Sequence, residues 1–214
     1  MGDWNDLLYK SYPMISRKSI DLIIQHEVGS RVYYEKALQK PTWPGGESGI
    51  TIGFGSDLGY TTDKQFLLDW SANINPNWLT PLRRVIGLKG IQAKGMLKGE
   101  ILNVRIPYNT AYEVFVKSSL PRYYAMTKKI YPSLELLNED TQGALVSMVF
   151  NRGASLEGES RKEMKAIVDL VAKQDYEGIA DQIEASKRLW ENKKMEGLVV
   201  RREAESDLIR DSIA

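Results

Sequence analysis

Glu27 stands where the helical pattern of residues 16 to 28 calls for an apolar side chain. Ile20, Ile23, Ile24 and Glu27 fall on one stripe at helical spacing, with Ser16 or Ser19 to cap the start and Gly29 to stop the end. Near a helix C-terminus the backbone dipole is negative and disfavours a further negative charge. A carboxyl in that place suits a general acid, which must carry a proton to hand to a leaving oxygen, as glycoside cleavage requires. A solvated glutamate at a helix end occupies the same position, so placement leaves both readings open.

Downstream, Gly49-Ile50-Thr51-Ile52-Gly53-Phe54-Gly55 supplies a second candidate piece. Read as a strand, it puts Ile52 and Phe54 on one face and Thr51, Gly53 and Gly55 on the other. A hydroxyl followed by two residues without side chains would let a flat ligand approach the backbone, with Thr51 available to hold a water. A glycine-rich edge strand or turn is the plainer alternative.

The elements that must position these residues are mostly helical. The chain of 214 residues fits one domain, or one domain in two lobes. Residues 1–15 read as an N-terminal extension and 16–214 as a single domain. Residues 30–60 are rich in glycine, proline and aromatics, with β-prone pieces at Val32-Tyr33-Tyr34 and Ile50-Thr51-Ile52 joined by a long connection from Lys40 to Gly49. They predict a small β-hairpin or sheet lobe. From residue 62 to 214 the pattern predicts a helical lobe, with helices over Asp63–Ser71, Pro76–Val85, Gln92–Leu102, Tyr108–Tyr131 with a break at Pro121 weighed, Glu139–Arg152, Ser160–Lys173, Tyr176–Arg188 and Val199–Ile213. The fold class is mostly α with one small β lobe (α+β).

Composition narrows the chemistry. Hydrophobic residues at 43% and charged residues at 27% are those of a globular chain, and a net charge of +1 argues against a dedicated nucleic-acid partner. There is no cysteine, so thiolate nucleophiles, disulfides and cysteine metal sites are excluded. The one histidine, His26, rules out a multi-histidine metal site and disfavours a Ser-His-Asp triad. Adjacent to Glu27 but about 100° away around the helix, it reads as structural. Whatever reaction occurs runs on carboxylates. No signal sequence and no apolar stretch of about 18 residues is visible, so membrane insertion is not expected.

Three blocks in order then resemble the phage-type lysozymes: Glu27, Tyr34 and Thr51-Ile52-Gly53-Phe54-Gly55; Ala144 to Gly153, ending Phe150-Asn151-Arg152-Gly153; and Gly197-Leu198-Val199-Val200-Arg201-Arg202-Glu203-Ala204-Glu205. The run Pro41-Thr42-Trp43-Pro44-Gly45-Gly46-Glu47-Ser48-Gly49-Ile50-Thr51 and on to Asp57-Leu58-Gly59-Tyr60 is similar to a subgroup of phage lysins and peptidoglycan-degrading toxin or effector domains. The resemblance implies a two-lobed lysozyme-like fold and a muramidase that cleaves the β-1,4 bond between N-acetylmuramic acid and N-acetylglucosamine, lysing bacterial walls. It casts Glu27 as general acid and Thr51 as positioner of the attacking water.

The family's second carboxylate is usually an aspartate after the tyrosine, and here that place holds Glu35 or Lys36. The order of candidates is Glu35, then Asp57, then Glu47. Gly53, Gly55, Trp43, Asn151 and Arg152 are the candidate substrate contacts, although Trp43 would serve equally to pin its loop and Arg152 to close its helix. Arg201 and Arg202 read as structural ion pairs. No metal or cofactor is implied. The expected partner is the peptidoglycan strand, reached in the periplasm or outside the cell after synthesis in the cytoplasm and delivery by another device. A lytic transglycosylase and an inactive wall-binding module are the alternatives.

Overall fold

A computed structural model describes residues 15–191 and 193–214; the expected N-terminal extension falls almost wholly outside them. The described chain is mostly helical with one two-stranded antiparallel sheet, the lysozyme-like class expected. It forms two compact units. Unit 1 comprises Glu27–Ser119, and unit 2 comprises residues 15–26 with Leu120–Ala214. The lobe boundary expected from the sequence lies near residue 61; the unit that holds the strands runs on to Ser119.

Helix α1, Arg17–Val28, is capped by Ser16, whose hydroxyl accepts from the Ser19 amide at 3.1 Å. Ile20, Ile23 and Ile24 are buried and Glu27 is half-buried. Gly29, at φ +72°, ends the helix in the left-handed conformation that glycine tolerates.

The expected strand at Val32-Tyr33-Tyr34 is not there. A single helical turn, α2 (Arg31–Tyr33), runs into a π-helical turn at Tyr34–Leu38. Ser30 overrides the β-propensity of these residues, since its hydroxyl accepts from the Tyr33 amide at 3.1 Å as an N-cap. Only Tyr34 of this segment is buried, and a helical turn can sink one side chain while exposing Val32 and Tyr33. The sheet is instead β1 (Thr51–Ile52) with β2 (Ser56–Asp57), and Thr42 bridges to Thr51. Gly53, Phe54 and Gly55 are therefore the turn of a hairpin and do not continue a strand. The two glycines sit at φ +57° and +78°.

Unit 1 also holds α3 (Asp63–Trp70), α4 (Pro76–Arg83), α5 (Gly90–Gly95) and α6 (Tyr108–Val114). The sequence expectation of one helix over residues 92–102 gives way to α5 and a 3-10 turn at Gly99–Asn103, because Gly95 and Gly99 weaken the run between them. Its core is aromatic: Phe54 meets Tyr34, Tyr108, Tyr112 and Phe115 at centroid distances of 5.3, 5.1, 6.5 and 6.1 Å. Such pairs add about 0.5–1.5 kcal/mol each beyond the area they bury. The Tyr34 hydroxyl donates to the Ile106 carbonyl at 3.0 Å, and burial pushes its phenol well above the usual range.

After α6 the chain makes a π turn, Phe115–Ser119, and continues as α7, Leu120–Ile130. The wider turn accommodates Pro121, which lacks an amide hydrogen and would crowd the preceding carbonyls of a regular helix. The weighed break thus becomes a change of helical pitch.

In unit 2, α8 (Glu139–Arg152) is buried without interruption from Thr141 to Val149, the mark of a central core helix. It packs against α7 and against α11 (Glu196–Asp211), while α9 (Lys162–Lys173) and α10 (Tyr176–Ala185) complete the layer. Gly143 lets α1 approach closely, because a Cβ there would lie 2.1 Å from the Ser19 Cβ.

Beneath α11 is a polar core. Ser147 Oγ lies 2.6 Å from Glu205 Oε1, the same oxygen accepts from Arg202 at 2.7 Å, and Arg201 donates to the Ser147 carbonyl at 3.1 Å. Arg201, Arg202, Ser147 and Glu205 are all buried. His26 faces the two guanidiniums, and burial followed by the charges of Arg201 and Arg202 lowers its pKa from 6.5 to about 4. The folded protein therefore keeps His26 neutral where the unfolded chain protonates it. Stability contributed by this site is present above pH 6.5 and is lost as pH falls towards 4. Urea midpoints should drop across that window in the wild type and drop less in His26→Gln; parallel profiles would refute the assignment.

Candidate active site

Of the sequence-proposed site residues, Glu27, Glu35, Trp43, Thr51, Gly53, Gly55 and Asp57 belong to unit 1, whereas Asn151 and Arg152 belong to unit 2. Each unit is described by its own contacts.

In unit 1 the hairpin register sets Thr51 directly across from Asp57. The two stand as neighbours on a two-residue ladder, where directly opposed side chains lie about 4.5–5.5 Å apart at Cβ. The Asp57 carboxylate is fixed by main chain. Oδ1 accepts from the amides of Gly49 at 3.0 Å and Gly59 at 2.8 Å, and Oδ2 takes a longer contact of 3.2 Å from Gly49. Glycine is required at both places for reasons of space. A Cβ at position 49 would stand 2.3 Å from the Gly59 nitrogen, and one at position 59 would stand 2.7 Å from the Leu88 carbonyl oxygen. Two peptide segments thus press together and clamp one carboxylate between them.

Glu35 sits differently. On the exposed helical segment it accepts from Arg31 Nε at 2.8 Å, one turn back, and Arg31 in turn lies over the Tyr108 ring at 4.9 Å. Glu47 is exposed on the loop between Thr42 and β1. The structure therefore brings one of the three rival carboxylates, Asp57, beside Thr51.

Gly53 is buried, with a Cβ there meeting the Trp70 ring at 2.5 Å, so packing and a left-handed φ account for this glycine. Gly55 remains exposed at the hairpin tip. Trp43 donates its indole N–H to the Ser48 carbonyl at 3.0 Å and has Lys94 at 5.2 Å from its ring, contacts that pin its loop.

In unit 2, Asn151 is exposed and Arg152 half-buried at the end of α8, where Gly153 closes the helix. Arg152 Nη2 donates to the Ser160 carbonyl, and its guanidinium lies 5.2 Å from the Trp190 ring centre. Sequence reasoning missed Trp190 and Arg161, which line a pocket with Asn151 and Arg152. The spacing Arg152…Arg161…Trp190 crosses three separate elements, so no single motif exposes it.

Among the described residues no three His, Asp or Glu side chains gather as a metal site, and no helix is long and apolar enough to cross a membrane.

The phage lysozyme family model matches residues 87–205, more than half of the sequence, and the chain belongs to that family. Its activity is accordingly that of a glycosidase-type enzyme that lyses peptidoglycan. The matched span begins after Glu27, Thr51 and Asp57, which stand outside it. No curated protein matches the chain.

Proposed function

We propose that the protein is a muramidase, hydrolysing the β-1,4 bond between N-acetylmuramic acid and N-acetylglucosamine. Glu27 donates the proton to the leaving oxygen, Asp57 is the base, and Thr51 orients the attacking water. The observation that carries this reading is the cross-strand pairing of Thr51 with Asp57, joined to family membership. Clamped by backbone amides, Asp57 keeps its orientation without help from a mobile side chain, and Oδ2, with its one long contact, retains room to accept from water. Glu35, first in order on sequence grounds, has less support because Arg31 already engages it at an exposed surface. Asn151 and Arg152 are the proposed contacts to the glycan or its substituents. The substrate places the work at the cell wall, in the periplasm or outside the cell.

Release of soluble fragments from purified peptidoglycan tests the base. Asp57→Asn keeps the Oδ1 acceptor of the clamp and should lower the rate by about 10²–10⁴, while Glu35→Gln should stay within about twofold, as loss of an exposed ion pair does. The reverse ranking would hand the role to Glu35. Mass spectrometry of the fragments should find reducing ends, as an inverting hydrolase with carboxyls about 6.5–9.5 Å apart gives. Anhydro ends would instead make the protein a lytic transglycosylase, and binding without release a wall-binding module.

A further inference from the structure

Unit 2 contains a pocket of about 420 Å³ lined by Asn151, Arg152, Ser160, Arg161, Trp190 and Lys193, with Leu189 and Leu198 on its wall. Three cations and no carboxylate line it, in a chain whose net charge is only +1. Of the acids around it, Glu163 accepts from Arg188 at 2.5 and 3.3 Å and Glu205 accepts from Arg202, while Glu191 is exposed and faces a neighbouring pocket that it lines with Trp190 and Lys193. Arg152 Nη1 is buried and makes no hydrogen bond to any other described residue. Among the described residues the Arg161 side chain donates one hydrogen bond, to the Met164 sulfur at 3.5 Å. Burial, then the charges of Arg161 and Arg202, lower the Arg152 pKa to about 10, which fits crowded, under-compensated cations. The stack of Arg152 on Trp190 holds the guanidinium plane in place.

We propose that this pocket binds a dianionic phosphoryl group, gripped by the guanidinium fork of Arg161 and neutralised further by the charges of Arg152 and Lys193. Planar guanidiniums meet phosphate oxygens two at a time, and the Ser160 hydroxyl and Asn151 amide supply neutral donors. Charge decides between oxyanions. A single carboxylate would leave two of three lining cations uncompensated, whereas a phosphate dianion leaves one. Leu189, Leu198 and the Trp190 edge give an organic substituent an apolar wall, so both free phosphate and a phosphomonoester share the required chemistry.

Calorimetric titration of the full chain at constant ionic strength tests this. Inorganic phosphate should bind one per chain, and acetate and dimethyl phosphate, each a monoanion, should bind at least about tenfold more weakly. Glycerol 3-phosphate forms a second arm: tighter binding than inorganic phosphate identifies a phosphomonoester as the ligand, weaker binding identifies free phosphate. Its affinity should rise as pH passes its second pKa near ~6. Arg161→Gln and Lys193→Gln spare the Arg152–Trp190 stack; each should weaken phosphate about tenfold while leaving the melting temperature in phosphate-free buffer unchanged. Undiminished phosphate binding in the Arg161→Gln, Lys193→Gln double variant, or acetate binding as tightly as phosphate, would overturn the proposal. Wall lysis is not the readout, so the result is independent of the acid–base assignment.

Discussion

Glu27→Gln is expected to abolish wall lysis, with a fall of about 10²–10⁴ in rate, while the protein folds and melts as before. Glutamine matches glutamate in size and keeps an oxygen and a hydrogen-bonding nitrogen at the end of α1, but it has no acidic proton to give. The glycosidic oxygen is a poor leaving group unless protonated, so removing the donor strikes the step itself. Glu27→Asp would retain the proton and withdraw it by one methylene, and should fall between the two. Turbidity of purified walls measures the rate and a thermal melt checks the fold. A Glu27→Gln protein that clears walls at near-normal speed would end the proposal, whatever became of Asp57.

The second large effect is on stability. Glu205 is fully buried, and one of its oxygens accepts from Arg202 at 2.7 Å and lies 3.3 Å from Arg201 Nε. Glu205→Gln leaves two buried guanidiniums facing a neutral amide, with an NH₂ group competing for the space of an acceptor. Breaking a buried ion pair from one side costs about 3–5 kcal/mol, because the charge left behind stays desolvated. In a domain of this size that corresponds to a melting temperature lower by roughly 6–20 °C. His26 would then face the same cations with less compensation, so the acid side of the stability profile should steepen as well. A shift of only a degree or two would mean that the cluster relaxes towards water when its carboxylate is lost.

The helices were written plainly where apolar spacing and a cap coincide. Glu139–Arg152 was legible to the residue because Asn138 caps it, Gly153 ends it and nine consecutive positions between are core. Glu27 was legible for the converse reason, as a charged residue on an apolar stripe. The segment at Val32-Tyr33-Tyr34 misled because β-propensity there is high, while the deciding contact is a serine hydroxyl on one amide. Its helical character carried a fainter signal, the Arg31 and Glu35 pair four residues apart. In Gly49 to Gly55, alternation suggested one strand face, but left-handed φ at Gly53 and Gly55 turns the chain after two paired residues. The residues of the proposed site can be named from the sequence, but their pairing cannot. Asp57 meets Thr51 by register and meets Gly49 and Gly59 by backbone approach, and neither relation leaves a mark in side-chain chemistry.

That backbone clamp on Asp57 makes the carboxylate's aim indifferent to most of the surrounding vocabulary of amino acids. Its two anchors are peptide amides, which every residue except proline possesses, so side-chain chemistry at Pro44, Glu47 and Ser48 does not aim the carboxylate, whereas Gly45 and Gly46, at φ +111° and +56°, hold backbone conformations that favour glycine. Any side chain larger than hydrogen at 49 or 59 forces the two peptide planes apart, so the clamp tolerates no substitution at its two ends.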